Sequence, residues 1–186
     1  MAGNDAAFAL SMKISVFCGV SVDGFIARKS HTFDFLPEEP EPHGFEEFYK
    51  SIDTVVIGRN TYQVVVKYFP KWYYGKKRVV VLSSGKLDFS EAPKNAKLQQ
   101  MSGEPAHILS KLKALRVKHV YLDGGITIQR FLAVGLVDRM TVTRVPVLIG
   151  EGIPLFGPVP GDIKLRHVKT KTFKSGLVTT EYDVLR

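Results

Sequence analysis

An α/β fold with a mainly parallel sheet and an antiparallel C-terminal edge follows from three features of this 186-residue chain. Short runs of Val, Ile and Leu recur with no polar alternation, as strands covered on both faces require. Segments with apolar residues at helical spacing separate these runs, which is how parallel neighbours must be connected. From Met140 onward the strands follow one another with few helices between them, and Lys174-Ser175-Gly176 marks a hairpin turn, so the last two strands should pair antiparallel.

Taken in order, residues 1–11 read as a flexible extension and residues 12–186 as a single domain. Lys13 to Val20 forms a buried strand, Phe45 to Ser51 a short helix and Thr54 to Ile57 a second strand. Gly58-Arg-Asn-Thr61 opens the next helix, and Arg78 to Leu82 is a strand bounded by Ser83-Ser84-Gly85. Ala106 to Arg116 places Ile108, Leu109, Leu112 and Leu115 on one helical face before the strand His119 to Leu122. A helix over Ile126 to Val134 and strands over Met140 to Val145, Lys164 to Phe173 and Leu177 to Leu185 complete the pattern. Between Ser30 and Gly44, the Pro and Glu cluster from Pro37 to Pro42 resists regular structure and reads as an exposed loop.

The composition, 45% hydrophobic and 24% charged, suits one globular domain with a full core. A single cysteine, Cys18, lies in an apolar run, so no disulfide framework or Cys-rich zinc site is available, and a reducing, cytoplasmic setting and a packing role are expected. No apolar run reaches the roughly 18 residues of a membrane span, so no membrane partner is expected. The five histidines show no ligand spacing, which argues against a metal site. The net charge of +8 is spread over several solvated faces rather than gathered into a stripe. It suits attraction of a small polyanion better than nucleic-acid binding.

Three turns follow strands expected to be parallel. After Tyr121-Leu-Asp123, Gly124 and Gly125 let the backbone turn sharply and bring an anion to the amides that open the next helix. After Val55-Val-Ile57, Gly58 leads into Arg59, which can reach a phosphate, and Asn60 and Thr61, which can cap free amides. After Val79-Val-Val-Leu82 come Ser83, Ser84 and Lys86, with no carboxylate to hold a ribose 2′-hydroxyl, a pattern that favours a 2′-phosphate and hence NADPH. Ordinary turns and caps would each look similar alone. Together they place polar bends at the carboxyl ends of parallel strands, where open α/β sheets bind ligands. Ser21-Val-Asp-Gly-Phe-Ile-Ala27 should cross the mouth of the same cleft, with Asp23 either serving the site or capping its own turn, and Ile26 offering a face to a flat ring.

Ser21–Ala27, Val56–Tyr62, Leu82–Ser84, Asp123–Gly125, Gly135–Asp138 and Pro146–Phe156 together resemble the dihydrofolate reductase-like superfamily, in its RibD C-terminal (riboflavin-biosynthesis reductase) branch. The resemblance runs from about Met12 to Arg186. It implies an eight-stranded mixed sheet flanked by helices, NADPH across the strand ends, and hydride transfer to a small heterocyclic or ribosylamino-pyrimidine substrate. By the same resemblance, Gly19, Ile26 and Ala27 would border the nicotinamide, and Gly58, Arg59, Asn60 and Thr61 would hold phosphate. Ser83 and Ser84, with Leu82 beside them, would meet the adenosine ribose phosphate, while Gly124, Gly125, Ile126 and Thr127 would wrap the pyrophosphate. Asp23 matches the branch's site carboxylate and is the catalytic candidate, to orient substrate or relay a proton.

Two departures narrow the branch. Dihydrofolate reductases carry a carboxylate on the first helix, where the register here puts Pro42, with Glu41, Glu46 and Glu47 only as neighbours. The zinc deaminase pattern of bifunctional members is absent, which leaves the reduction seen in 5-amino-6-(5-phosphoribosylamino)uracil reductase. Arg144 and Lys29 are candidate partners for a substrate phosphate. The alternatives are a pterin reductase of the dihydrofolate reductase type or a non-catalytic nucleotide-binding protein of the same fold. A homodimer is expected, with the apolar Pro146 to Phe156 segment able to cover an edge strand, while Gly150-Glu-Gly152 reads as a turn.

Overall fold

The computed structural model describes residues 12–37, 41–69 and 71–186. The expected N-terminal extension, residues 1–11, lies outside them, as do residues 38–40 of the Pro and Glu loop.

An eight-stranded sheet organises the chain. Its central strand β1 (Lys13–Ser21) is followed by a short β2 (Phe25–Ala27), then α1 (Phe45–Ser51), β3 (Thr54–Gly58), α2 (Arg59–Tyr68) and β4 (Arg78–Leu82). After these come β5 (Lys97–Met101), α3 (Pro105–Ala114), β6 (His119–Asp123), α4 (Gly125–Ala133) and β7 (Arg139–Val145). The chain closes with β8 (Ile153–Pro154), β9 (Leu165–Thr172) and β10 (Val178–Val184). The sheet order is β5-β4-β3-β6-β1-β7-β10-β9. Every pair from β5 to β7 is parallel, and β10 runs antiparallel to both β7 and β9. The mainly parallel sheet with an antiparallel C-terminal edge is therefore the observed fold, and the last turn closes through Gly176, whose φ of 84° suits glycine.

The two-residue period of the strands divides the core. Ile14, Val16, Val56, Val80, Val120 and Leu122 face one side with Ile108 and Leu112 of α3 and Ile128 and Phe131 of α4. Phe17, Val55, Ile57, Val79, Val81 and Tyr121 face the other, against Tyr62 and Val65 of α2 and the partly buried aromatics of α1. Side chains of this size each gain about 1.5–3 kcal/mol when fully buried, so apolar residues on both faces hold the helices to the sheet. On the antiparallel edge, Arg139 of β7 lies 2.7 Å from both Glu181 and Asp183 of β10, which fixes their register.

Three strands were not legible beforehand. β5 carries Lys97, Gln99 and Gln100 at the sheet edge, so its apolar signal is weak. β2 and β8 are too short to show a period and pair only with each other, Phe25 with Pro154 and Ala27 with Ile153. This pairing draws the Pro146–Phe156 segment over β2 of its own chain.

Candidate active site

The parallel strands β1, β3, β4 and β6 all end at one rim, and a cavity of about 960 Å³ opens there. Gly19, Ile26, Ala27, Gly58, Arg59, Asn60, Thr61, Leu82, Gly124, Gly125, Ile126 and Thr127 all line it. Twelve of the expected site residues are thereby brought together. Ser83 and Ser84 are not among the lining residues, although Ser83 Oγ accepts a hydrogen bond from Arg59 Nε at 3.1 Å and so touches the wall indirectly.

Two helices open onto this rim. α2 begins directly after Gly58 and α4 directly after Gly124, and neither has a side-chain cap, so their first-turn amides remain available to an anion. The two turns touch: a Cβ on Gly124 would collide with Thr61 Oγ1, and one on Gly58 would come 3.2 Å from Thr127 Oγ1. Gly124 also adopts φ 90° and ψ 133°, a region almost restricted to glycine. Arg59 reaches across to the turn after β4, donating to Ser83 Oγ and to the Gly85 carbonyl at 3.0 Å. Arg59 thus places its guanidinium against the turn that follows β4.

Asp123 is the carboxylate that the sequence reading left without a role. It ends β6 in the cavity wall, where Oδ1 accepts the Gly124 amide at 2.8 Å and Oδ2 the Tyr74 hydroxyl at 3.4 Å. Burial pushes its pKa up to about 6, and those two hydrogen bonds oppose the rise. A carboxyl whose pKa is raised toward neutrality can give or take a proton, and the rise comes from burial rather than from local sequence.

Asp23 has different surroundings. Its carboxylate accepts the amides of Ile149 at 3.2 Å and Gly150 at 2.8 Å, and it is not among the cavity-lining residues. Hydrogen bonds from Ser21 and from these amides hold its pKa below the usual carboxylate range. Lys29 pairs with Glu151 and Arg144 is exposed on β7, and neither lines the cavity. Glu41, Glu46 and Glu47 are outside it as well. Cys18 borders the cavity and packs on the core, where burial pushes its thiol pKa up.

The far half of the cavity is aromatic. Phe33, Phe69 and Tyr73 line one part, with Phe33 and Phe69 stacked at 5.9 Å. Phe17, His43 and Phe45 line another, with Phe17 edge-on to Phe45 at 5.3 Å. No helix among the described residues is long and apolar enough to cross a membrane.

Residues 12–179 match the RibD C-terminal domain family. The chain belongs to that family. The RibD C-terminal domain here is 32% identical over 183 residues to an uncharacterized Bacillus subtilis protein, YyaP, covering 91% of this chain and 94% of that one. A putative riboflavin biosynthesis protein from Shewanella sp. PV-4 is 34% identical, with a TM-score of 0.85 over 94% of this chain and all of the other. A Thermotoga maritima diaminohydroxyphosphoribosylaminopyrimidine deaminase/5-amino-6-(5-phosphoribosylamino)uracil reductase shares the fold at 16% identity, with a TM-score of 0.70 over 94% of this chain and 57% of that protein. The RibD C-terminal domain therefore has the dihydrofolate reductase-like fold of RibD-type reductases.

Proposed function

We propose that this RibD C-terminal domain is an NADPH-dependent reductase of a small heterocyclic substrate. The observation that carries the reading is the pair of uncapped helix N-termini, α2 and α4, that open side by side onto one cavity behind Gly58 and Gly124. Backbone amides and helix dipoles at such a place suit a pyrophosphate. The cradle fits the group, since a side chain at Gly124 would fill the space between the turns.

In this reading the amides of Gly125, Ile126 and Thr127 receive the pyrophosphate and those of Arg59, Asn60 and Thr61 a second anionic group. The Arg59 guanidinium, with Leu82, Ser83 and Ser84 around it, meets the 2′-phosphate and sets the preference for NADPH. Gly19, Ile26 and Ala27 border the nicotinamide, which when bound supplies the hydride. Leu36 Cδ2 would stand 2.8 Å from a Cβ on Gly19, so Leu36 packs directly against this glycine. Asp123 holds the proton that a reduced ring nitrogen requires. Asp23 serves by position: it fastens the Ile149–Gly150 turn next to β8, whose Ile153 and Pro154 crowd Gly125.

A ribosylamino-pyrimidine, implied by the sequence resemblance, is one member of this substrate class. The protein acts in the cytoplasm, where NADPH is the common reductant. Leu148 at 71% and Phe156 at 52% exposure leave apolar surface on the Pro146–Phe156 segment, which supports a homodimer. The test of function is thermal: NADPH should raise the melting temperature clearly more than NADH. Absence of a shift with either at millimolar concentration would overturn the assignment.

A further inference from the structure

We infer that the acceptor is a flat, uncharged heteroaromatic ring that carries no phosphate. The inference rests on the reductase reading and narrows its substrate class. Its ground is the distribution of charge around the cavity. Arg59 and Arg130 are the arginines in the lining, and no lysine lines it. Both arginines are committed at the cofactor end. Arg59 is bound to Ser83 and Gly85 after β4, and Arg130 donates to the Gly103 carbonyl at 2.9 Å beyond β5.

The other half has no such cation. Its charged side chains are carboxylates, Asp123 in the wall and Asp34, which Arg28 pairs at 2.7 Å. Its two imidazoles are His31, carried on a turn with φ 67°, and His43, which packs against Phe17 and Phe45 with its Nδ1 3.0 Å from the Glu41 carbonyl. Residues 1–11, 38–40 and 70 contain no Lys, Arg or His, so no side chain outside the described residues could add a cation.

What this half offers instead is ring surface. Tyr121 and Tyr74 spend their hydroxyls within the protein, on the Phe17 carbonyl at 3.0 Å and on Asp123. The rings of Phe33, Phe45, Phe69 and Tyr73 keep exposed surface on the cavity and remain to meet a substrate. Aromatic surroundings favour a π-system by offset or edge contacts. A phosphate dianion placed there would lose its hydration with no lysine or arginine in return.

The test uses matched pairs of probes on the full chain with NADPH present: riboflavin against FMN, and 5-amino-6-ribosylaminouracil against its 5′-phosphate. Binding is read by isothermal titration and turnover by loss of NADPH absorbance. The unphosphorylated member of at least one pair should bind roughly tenfold or more tighter than its phosphate ester. Tyr68→Arg, at an exposed lining position, should shift that ratio toward the phosphate ester by about tenfold, the worth of one charge-assisted hydrogen bond. Tighter binding of the esters by the unaltered protein would overturn the inference, as would binding of neither member of both pairs. If NADPH itself binds in those same experiments, the reductase reading survives that failure; if NADPH does not bind, the reading itself has failed.

Discussion

Replacing Asp123 by Asn keeps the side chain's shape and removes its charge, so it isolates what burying that carboxylate costs. The pKa rises from 3.8 in the unfolded chain to about 6 in the folded one. At about 1.4 kcal/mol per unit the ionised form is disfavoured by roughly 3 kcal/mol in the native state. The sign follows from proton uptake: between these two values the native state holds a proton that the unfolded state has released, so stability falls as pH rises. Below about pH 4 both states are protonated, and Asp123→Asn should match the parent. Above about pH 6.5 the variant should gain about 1–3 kcal/mol, less than the ceiling where the amide bonds Gly124 and Tyr74 less well. For a chain of this size a gain of about 2 kcal/mol corresponds to roughly 4–8 °C in melting temperature. Calorimetric melting across the acid range, with and without the substitution, measures it. A stability difference that is flat with pH would refute the argument, and so would loss of stability above neutrality. Reductase activity, followed by loss of NADPH absorbance, should fall in the same variant, because an amide does not ionise in this range and cannot transfer a proton.

Further outcomes follow from the same geometry. Arg59→Ala should weaken NADPH by roughly ten- to a hundredfold and leave NADH nearly unchanged, as read by titration calorimetry; equal losses for both would deny Arg59 its place at the 2′-phosphate. Gly124→Ala should cost about 1–3 kcal/mol of stability, because its backbone region is closed to a side chain. Gly161→Ala, where a Cβ would meet nothing within 4 Å, should stay within about 0.5 kcal/mol of the parent. Chemical denaturation of both variants reads the contrast, and equal effects would contradict it.

Most of this fold was legible because its strands are covered on both faces. Val55–Ile57, Val79–Leu82 and His119–Leu122 needed no polar alternation, and the helices between them imposed parallel pairing. The paired turns at Gly58 and Gly124 were legible too, since they act through local backbone freedom that a sequence displays directly. The rest depends on distance. β5 was hidden by its glutamines and β2 by its length, while Asp123 acquires its raised pKa from surroundings brought together by folding. Asp23 and Asp123 look alike as Asp-Gly pairs, yet one faces two amides at the surface and the other a tyrosine in a cavity wall. The aromatic half is assembled from β1, α1 and the segments flanking α2, which no single stretch of sequence joins.

A crystal structure of the NADPH complex would show whether the N-termini of α2 and α4 hold the dinucleotide. The pyrophosphate should lie on the amides of Gly125, Ile126 and Thr127, the 2′-phosphate within hydrogen-bond distance of Arg59, and the nicotinamide between Gly19 and Ile26. A dinucleotide bound away from both helix N-termini, or reversed so that its nicotinamide lies at the end of β4, would contradict this placement.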